Sequence, residues 1–227
     1  MTSVQPQPLR VPRHPGQSDT LVHFCGRARP STSPDVANLT APQRLDSILR
    51  TGVLRAFPPY GRPWPVVCFS ESDSGGVEAL LRYSDFQPWG VVVRRDWVWA
   101  NGGGPVWYVR DDVTPATVGL DERALSWLVP TTPQHNDWLH EREWRLPMTH
   151  GNTPGIGLGD GVIAILVGDR RWEPGPVAEL EVDPTTGHPA IAEMTPRQAV
   201  VPRWYWDGTR IHLLQPVPIR IAGYHPL

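Results

Sequence analysis

The chain has 227 residues, enough for one sizeable buried core, so a single long domain is the default reading. A formal net charge of −2 argues against a strongly basic nucleic-acid surface, though local basic patches stay open. All 21 basic residues are arginine, so an anion must be held by arginine or by backbone N–H groups, and no lysine Schiff base can form.

Residues 1–19 lack the apolar core of a signal peptide and read as a disordered extension ahead of one domain over 20–227. The stretch "TLVHFCG" at 20–26 reads as a strand, because β-branched and aromatic residues run up to a glycine. After the loop "STSPDVANL", the segment "TAPQRLDSILRTG" reads as a helix with Thr40 as N-cap, Pro42 in the first turn and Gly52 as its stop. Leu45, Ile48 and Leu49 give it one apolar face.

A proline-rich link, "AFPPYGRPWP", leads to a strand, "VVCFSES" at 66–72, and then to a short helix over 75–83. "WGVVVRRDWVW" at 89–99 reads as a strand running into a turn, "PVWYVRDD" as a short extended segment, and 121–129 as a helix. "EREWRLP" at 141–147 and "GVIAILVGD" at 161–169 read as strands, the second a buried one. The apolar run at its centre is far too short to span a membrane, and a soluble cytoplasmic protein is expected. "WYWDGTRIHLL" at 204–214 reads as a hairpin on a two-residue Asp207–Gly208 turn. There is no internal repeat and no clear linker after residue 20, and the whole is α+β.

Several motifs fail on inspection. "GIGLGDG" at 155–161 precedes a strand instead of following one, and a phosphate loop needs a lysine. "HEREW" has Trp144 where a zinc site needs histidine, and no metal is expected. Cys25 and Cys68 cannot build a disulfide framework, suit a reducing compartment, and read as buried thiols. The tryptophans read mostly as core, and none is assigned to base stacking.

The pair of carboxylates in "WLHEREWRLP" is different. On a strand, residues two apart share a face, so Glu141, Glu143 and Arg145 become neighbours and Trp144 buries the other face. In a helix the two glutamates would diverge by about 200°. Two close carboxylates suit glycosyl-bond chemistry, one stabilising a cationic centre and the other preparing the nucleophile. A charged edge strand with Glu–Arg pairs is the alternative.

"LVHF", "RLDSILRTGVL", "VVCFSES", "WGVVVRRDWVWANGGGPVWYVRDD" and "WLHEREWRLP" occur in this order across residues 21–147. Together they resemble the AbiGi-type abortive-infection family of bacteria and, more distantly, the DarT-type and wider ADP-ribosyltransferase superfamily. The resemblance implies a split mixed β-sheet core with flanking helices, NAD as substrate, and a toxin effector of phage defence or of a toxin–antitoxin pair. It further implies an unknown macromolecular target, protein or nucleic acid, with an antitoxin as partner in the second case; the short apolar runs speak against a membrane partner. In this mapping His23 meets the NAD ribose, Ser70 or Tyr108 shapes the nicotinamide pocket, and Glu143 is catalytic with Glu141 beside it. Arg27, just past the first strand, is the expected pyrophosphate ligand. The "S-T-S" motif of the arginine-modifying branch stands here as "FSES", which leaves the target open; the "STS" at 31–33 falls in a loop. Two other classes remain: a non-catalytic nucleotide- or partner-binding module on the same fold, and a nucleic-acid-acting toxin whose arginines grip phosphate.

Overall fold

The computed structural model describes residues 17–27, 34–59, 64–110, 112–113, 119–132, 138–148 and 155–226. Most of the expected extension, and the "STS" at 31–33, lie outside the described residues. Of the extension, Ser18 is described; it is buried, and its N–H donates to Glu71 at 3.0 Å.

In chain order, β1 (Thr20–Phe24) and the helical turn α1 (Pro34–Ala37) precede α2 (Ala41–Thr51) and β2 (Val53–Arg55). Then come β3 (Val66–Glu71), α3 (Ser74–Tyr83), β4 (Gly90–Arg94), α4 (Arg95–Ala100), β5 (Gly104–Pro105) and β6 (Trp107–Arg110). The next are α5 (Glu122–Leu125), β7 (Leu128–Thr131), β8 (Glu143–Pro147), β9 (Gly155–Gly157) and β10 (Val162–Val167). The last are β11 (Val177–Val182), β12 (Pro189–Met194), β13 (Arg203–Trp206), β14 (Ile211–Leu214) and β15 (Ile221–Pro226).

Eight strands form one mixed sheet in the order β14-β13-β10-β4-β1-β3-β8-β5, parallel only between β10 and β13. This is an α+β arrangement with few helices. Its centre is apolar on both faces, as the unbroken valine and isoleucine runs require. Leu21, Val91, Val93, Ile165 and Val167 pack with Leu45 and Leu49 of α2, while Val22, Val92 and Leu166 pack with Val77 of α3. Alternate residues of β4 thus serve opposite layers, which is the period-two rule.

Helix α2 keeps the expected limits. The Gln43 side chain accepts from the Thr40 N–H at 2.8 Å, and Gly52 stops the helix at φ 65, where its N–H reaches the Ile48 carbonyl. The strand expected over 89–99 ends at Arg94, and Arg95–Ala100 is helical instead. Packing overrides the β-branched pattern there: Trp97 lies against Gly161, where an added Cβ would stand 2.4 Å from the indole. The helix expected over 121–129 is one turn long and gives way to β7, parallel to β6.

The 204–214 hairpin forms, but not on a two-residue turn. Four residues, 207–210, connect the strands, and of the pair only Gly208 has a positive φ. The Asp207 carboxylate holds the loop by accepting from the Thr209 and Arg210 N–H groups. A second sheet, β11-β12-β15, was not expected from the sequence. Among the described residues no helix is long and apolar enough to cross a membrane.

Candidate functional site

The large sheet is not evenly paired. β1 and β3 share two register pairs, Leu21–Glu71 and Val22–Ser70, and then separate. β1 continues alongside β4 as far as Phe24–Gly90, and β3 runs alongside β8 from Val66 to Ser70. In the wedge between them, His23 Nδ1 lies 2.8 Å from the Cys68 carbonyl oxygen, a side chain filling a position that the ladder has vacated.

A cavity of about 860 Å³ opens at this wedge. Consecutive residues line it, Val22–Arg27 along β1 and the segment just past it, and Cys68–Ser70 on β3. Neighbours on a strand face opposite ways, so a cavity that uses both sets sits at the split itself. Its volume is within the roughly 300–1,000 Å³ typical of ligand sites.

Five of the six residues singled out from the sequence line this one cavity: His23, Arg27, Ser70, Glu141 and Glu143. Tyr108 does not line it but supports it, because its hydroxyl accepts the Glu143 N–H at 2.7 Å. Burial, with the negative charge of Glu143 and Glu141 nearby, raises the Tyr108 phenol to about 12. It therefore stays protonated at neutral pH.

A carbonyl can only accept, so His23 carries its proton on Nδ1 and presents Nε2 as a lone pair. Burial lowers its pKa, outweighing the stabilising bond to Cys68. Ser70, itself buried, stands directly opposite Glu143 in the β3–β8 pairing. Glu143 accepts from Arg145 Nε at 2.8 Å and Nη2 at 3.2 Å, while Arg145 Nη1 donates to the Ser126 carbonyl at 2.6 Å. A carboxylate has about four acceptor positions, so Arg145 leaves Glu143 with capacity for a ligand hydroxyl.

Glu141 departs from the strand reading. It ends a 3₁₀ turn over Leu139–Glu141, and Arg142 at φ 46 reverses the chain before β8 begins. The expected shared face of Glu141, Glu143 and Arg145 therefore holds only for the last two. Glu141 reaches the cavity from the turn. Arg27 Nη2 lies 2.8 Å from each of its carboxylate oxygens, and Arg27 Nη1 is 2.9 Å from Asp85. The guanidinium also stacks over Phe86 at 4.0 Å, with Trp138 5.7 Å away. Burial raises the Glu141 pKa, Arg27 pulls it back, and Glu143 pushes it up again.

Cys68 lines the same wall, and burial beside Glu143 holds its thiol well above the ordinary range, which makes it inert at neutral pH. Trp138, which the sequence pattern reads as core, and Arg44 of α2 also line the cavity. Arg44, Ser47 and Thr51 all line the cavity at the i, i+3, i+7 spacing of one helical stripe, a signal that was present in the sequence. Among the described residues no three side chains of the metal-ligating types gather as a metal would need.

Compared with protein-family models, with curated proteins and with solved structures, the chain gives no match.

Proposed function

We propose that the chain is an NAD-consuming ADP-ribosyltransferase-like enzyme whose reaction takes place in the cavity at the β1–β3 split. One observation carries the reading: His23, Ser70 and Glu143, from three adjacent strands, line a single cavity together with Glu141. In this reading the sheet is the split core that the motif resemblance implies.

The chemistry follows from the groups present. The bond between nicotinamide and ribose breaks, and nicotinamide leaves with the bonding pair. Positive charge then builds on the ribose, and the Glu143 carboxylate, half-buried beside Arg145, is a fixed negative group to meet it. His23 Nε2 accepts from a ribose hydroxyl. Ser70 and the Tyr108-supported wall bound the nicotinamide end. The acceptor's lone pair forms the new bond to the ribose, and its proton passes to Glu141, whose raised pKa makes it a stronger base than an ordinary glutamate. A toxin effector acting on a macromolecule in phage defence or in a toxin–antitoxin pair is the biological setting this reading proposes.

A second reading is supported by a specific observation. Both carboxylates are matched by arginines, Glu141 with Arg27 and Glu143 with Arg145, as in a binding module that keeps the fold without turnover. Nicotinamide release and transfer of labelled ADP-ribose to cell extract separate the two. Release by the purified protein is expected. Saturable NAD binding with no release from any extract makes the binding module the correct reading.

A further inference from the structure

Four arginines line the cavity: Arg27, Arg44, Arg55 and Arg145. Arg27 is neutralised by Glu141 and Asp85, and Arg145 by Glu143. Arg55 is exposed and lies over Phe57 at 5.4 Å. Arg44 is held in another way. Its Nε and Nη2 donate to the Val36 carbonyl at 3.3 and 2.9 Å, and its Nη1 donates to the Cys25 carbonyl at 3.1 Å. Carbonyl oxygens fix a guanidinium but do not cancel its charge. Three of its five N–H groups are used, which leaves one on each Nη nitrogen.

The position is fixed from beneath as well. A Cβ on Gly26 would stand 3.1 Å from the Ala41 Cβ and 3.4 Å from Arg44 Nη1, so glycine lets α2 and this guanidinium close against the end of β1. The half-buried side chain is thus a preorganised cation with one unused N–H on each Nη nitrogen, two charge-assisted donors of the kind that bind a phosphate. It is anchored on Cys25, two residues along from His23, a span of about 7 Å on the strand scale. That is the scale on which a phosphate follows a ribose.

We infer that Arg44, and not Arg27, is the residue that takes the phosphate groups of the cavity's ligand, so that the ligand is a phosphorylated nucleotide lying from Glu143 and His23 toward α2. The identification of that ligand as NAD rests on the functional reading above; the anion site itself does not. Ser47, one turn further along the same stripe, lines the path and supplies an independent probe.

Calorimetry on the full chain with NAD, ADP-ribose, nicotinamide riboside and inorganic pyrophosphate tests this, using Arg44→Gln and Ser47→Glu. Both variants should weaken NAD and ADP-ribose by about tenfold to a hundredfold, the loss of a charge-assisted contact, and leave nicotinamide riboside, which has no phosphate, unchanged. Ser47→Glu removes none of the groups that hold Arg44 and sets a carboxylate at i+3 beside its guanidinium, where it competes with a phosphate, so it decides the matter if Arg44→Gln unfolds. Wild-type affinity for NAD in both folded variants overturns the assignment while the NAD reading stands. Arg44-dependent binding of pyrophosphate without any binding of NAD keeps the anion site and overturns the NAD reading. A wild-type chain that binds none of the phosphorylated compounds overturns both.

Discussion

Glu71 and Glu143 stand on neighbouring strands, and both are nearly inaccessible, yet they have opposite surroundings. Glu71 is enclosed by protein donors: the Ser18 N–H at 3.0 Å, the Trp144 indole N–H at 3.0 Å, Arg142 at 3.2 Å, with Arg95 at 3.6 Å. Glu71 borders a smaller cavity of about 390 Å³, but its oxygens are taken by these donors, whereas Glu143 meets one arginine and the large cavity. Strand alternation makes the division. Ser70 pairs with Glu143 on the cavity side, and the next residue, Glu71, turns to the side of Trp144. Burial and charge are alike in the two, so neither property marks a site; what faces the carboxylate oxygens does.

If Glu71 is structural, removing it should be the most damaging single change to the fold. Glu71→Ala leaves the Ser18 and Trp144 N–H groups without their acceptor and removes the carboxylate that Arg142 and Arg95 face, and should cost on the order of 3–5 kcal/mol in denaturant unfolding. NAD affinity, measured where the variant is still folded, should hold. Loss of affinity with an unchanged unfolding midpoint would place Glu71 in the site and break the contrast.

Glu143→Gln is the converse. The amide oxygen still accepts from Arg145, so stability should fall only by roughly 1–2 kcal/mol. Nicotinamide release should drop by about 10²–10³-fold, as for one lost electrostatic group in a transition state. Glu141→Gln should reduce transfer to an acceptor more than simple NAD hydrolysis. Equal losses in both reactions would remove the acceptor-preparing role.

How much of this was readable in the residues follows the same division. β1, β3 and β10 were legible because apolar runs bounded by glycine or polar residues have few other solutions, and α2 because Thr40, Pro42 and Gly52 mark its ends. The gathering of His23, Ser70 and Glu143 followed from placing three strands correctly. What failed depended on tertiary contacts. The left-handed conformation of Arg142 has no glycine to announce it, so the residue pattern extends the strand back to Glu141, two residues before it begins. The α4 helix depends on the space that Gly161 leaves for Trp97, which no local pattern encodes. The β11-β12-β15 sheet was missed because Leu180 and Val182 are exposed and β12 begins on proline, so neither strand reads as buried.

Arg27 gives a smaller effect. With its fork on Glu141 and Asp85, Arg27→Ala should lower stability by about 1–3 kcal/mol and shift NAD affinity less than Arg44→Gln does. It should also raise the Glu141 pKa further, because the positive charge that holds it down is gone. The pH profile of transfer to an acceptor should therefore move upward in this variant. An unmoved profile would show that Glu141 is not the group being titrated.

The smallest expected effect is on the pH dependence of stability, and it belongs to His23. Burial depresses its folded pKa below the ordinary 6.5, so between the two values the unfolded chain binds more protons than the native one. Stability from this group is complete above about 6.5 and is lost as pH falls toward the folded value, by at most about 1.4 kcal/mol per pH unit for one proton. Glu141 has the opposite sign: its raised folded pKa makes its contribution largest at low pH and lost as pH rises through that value. A wild-type curve mixes the two, so the comparison must be with His23→Gln, which has no imidazole to titrate and keeps a donor for the Cys68 carbonyl. Urea midpoints of both proteins from pH 7.5 to 5 should converge as the pH falls. Parallel curves would mean that His23 is as easily protonated in the fold as outside it, and the neutral imidazole with a free Nε2 at the wedge would have to be given up.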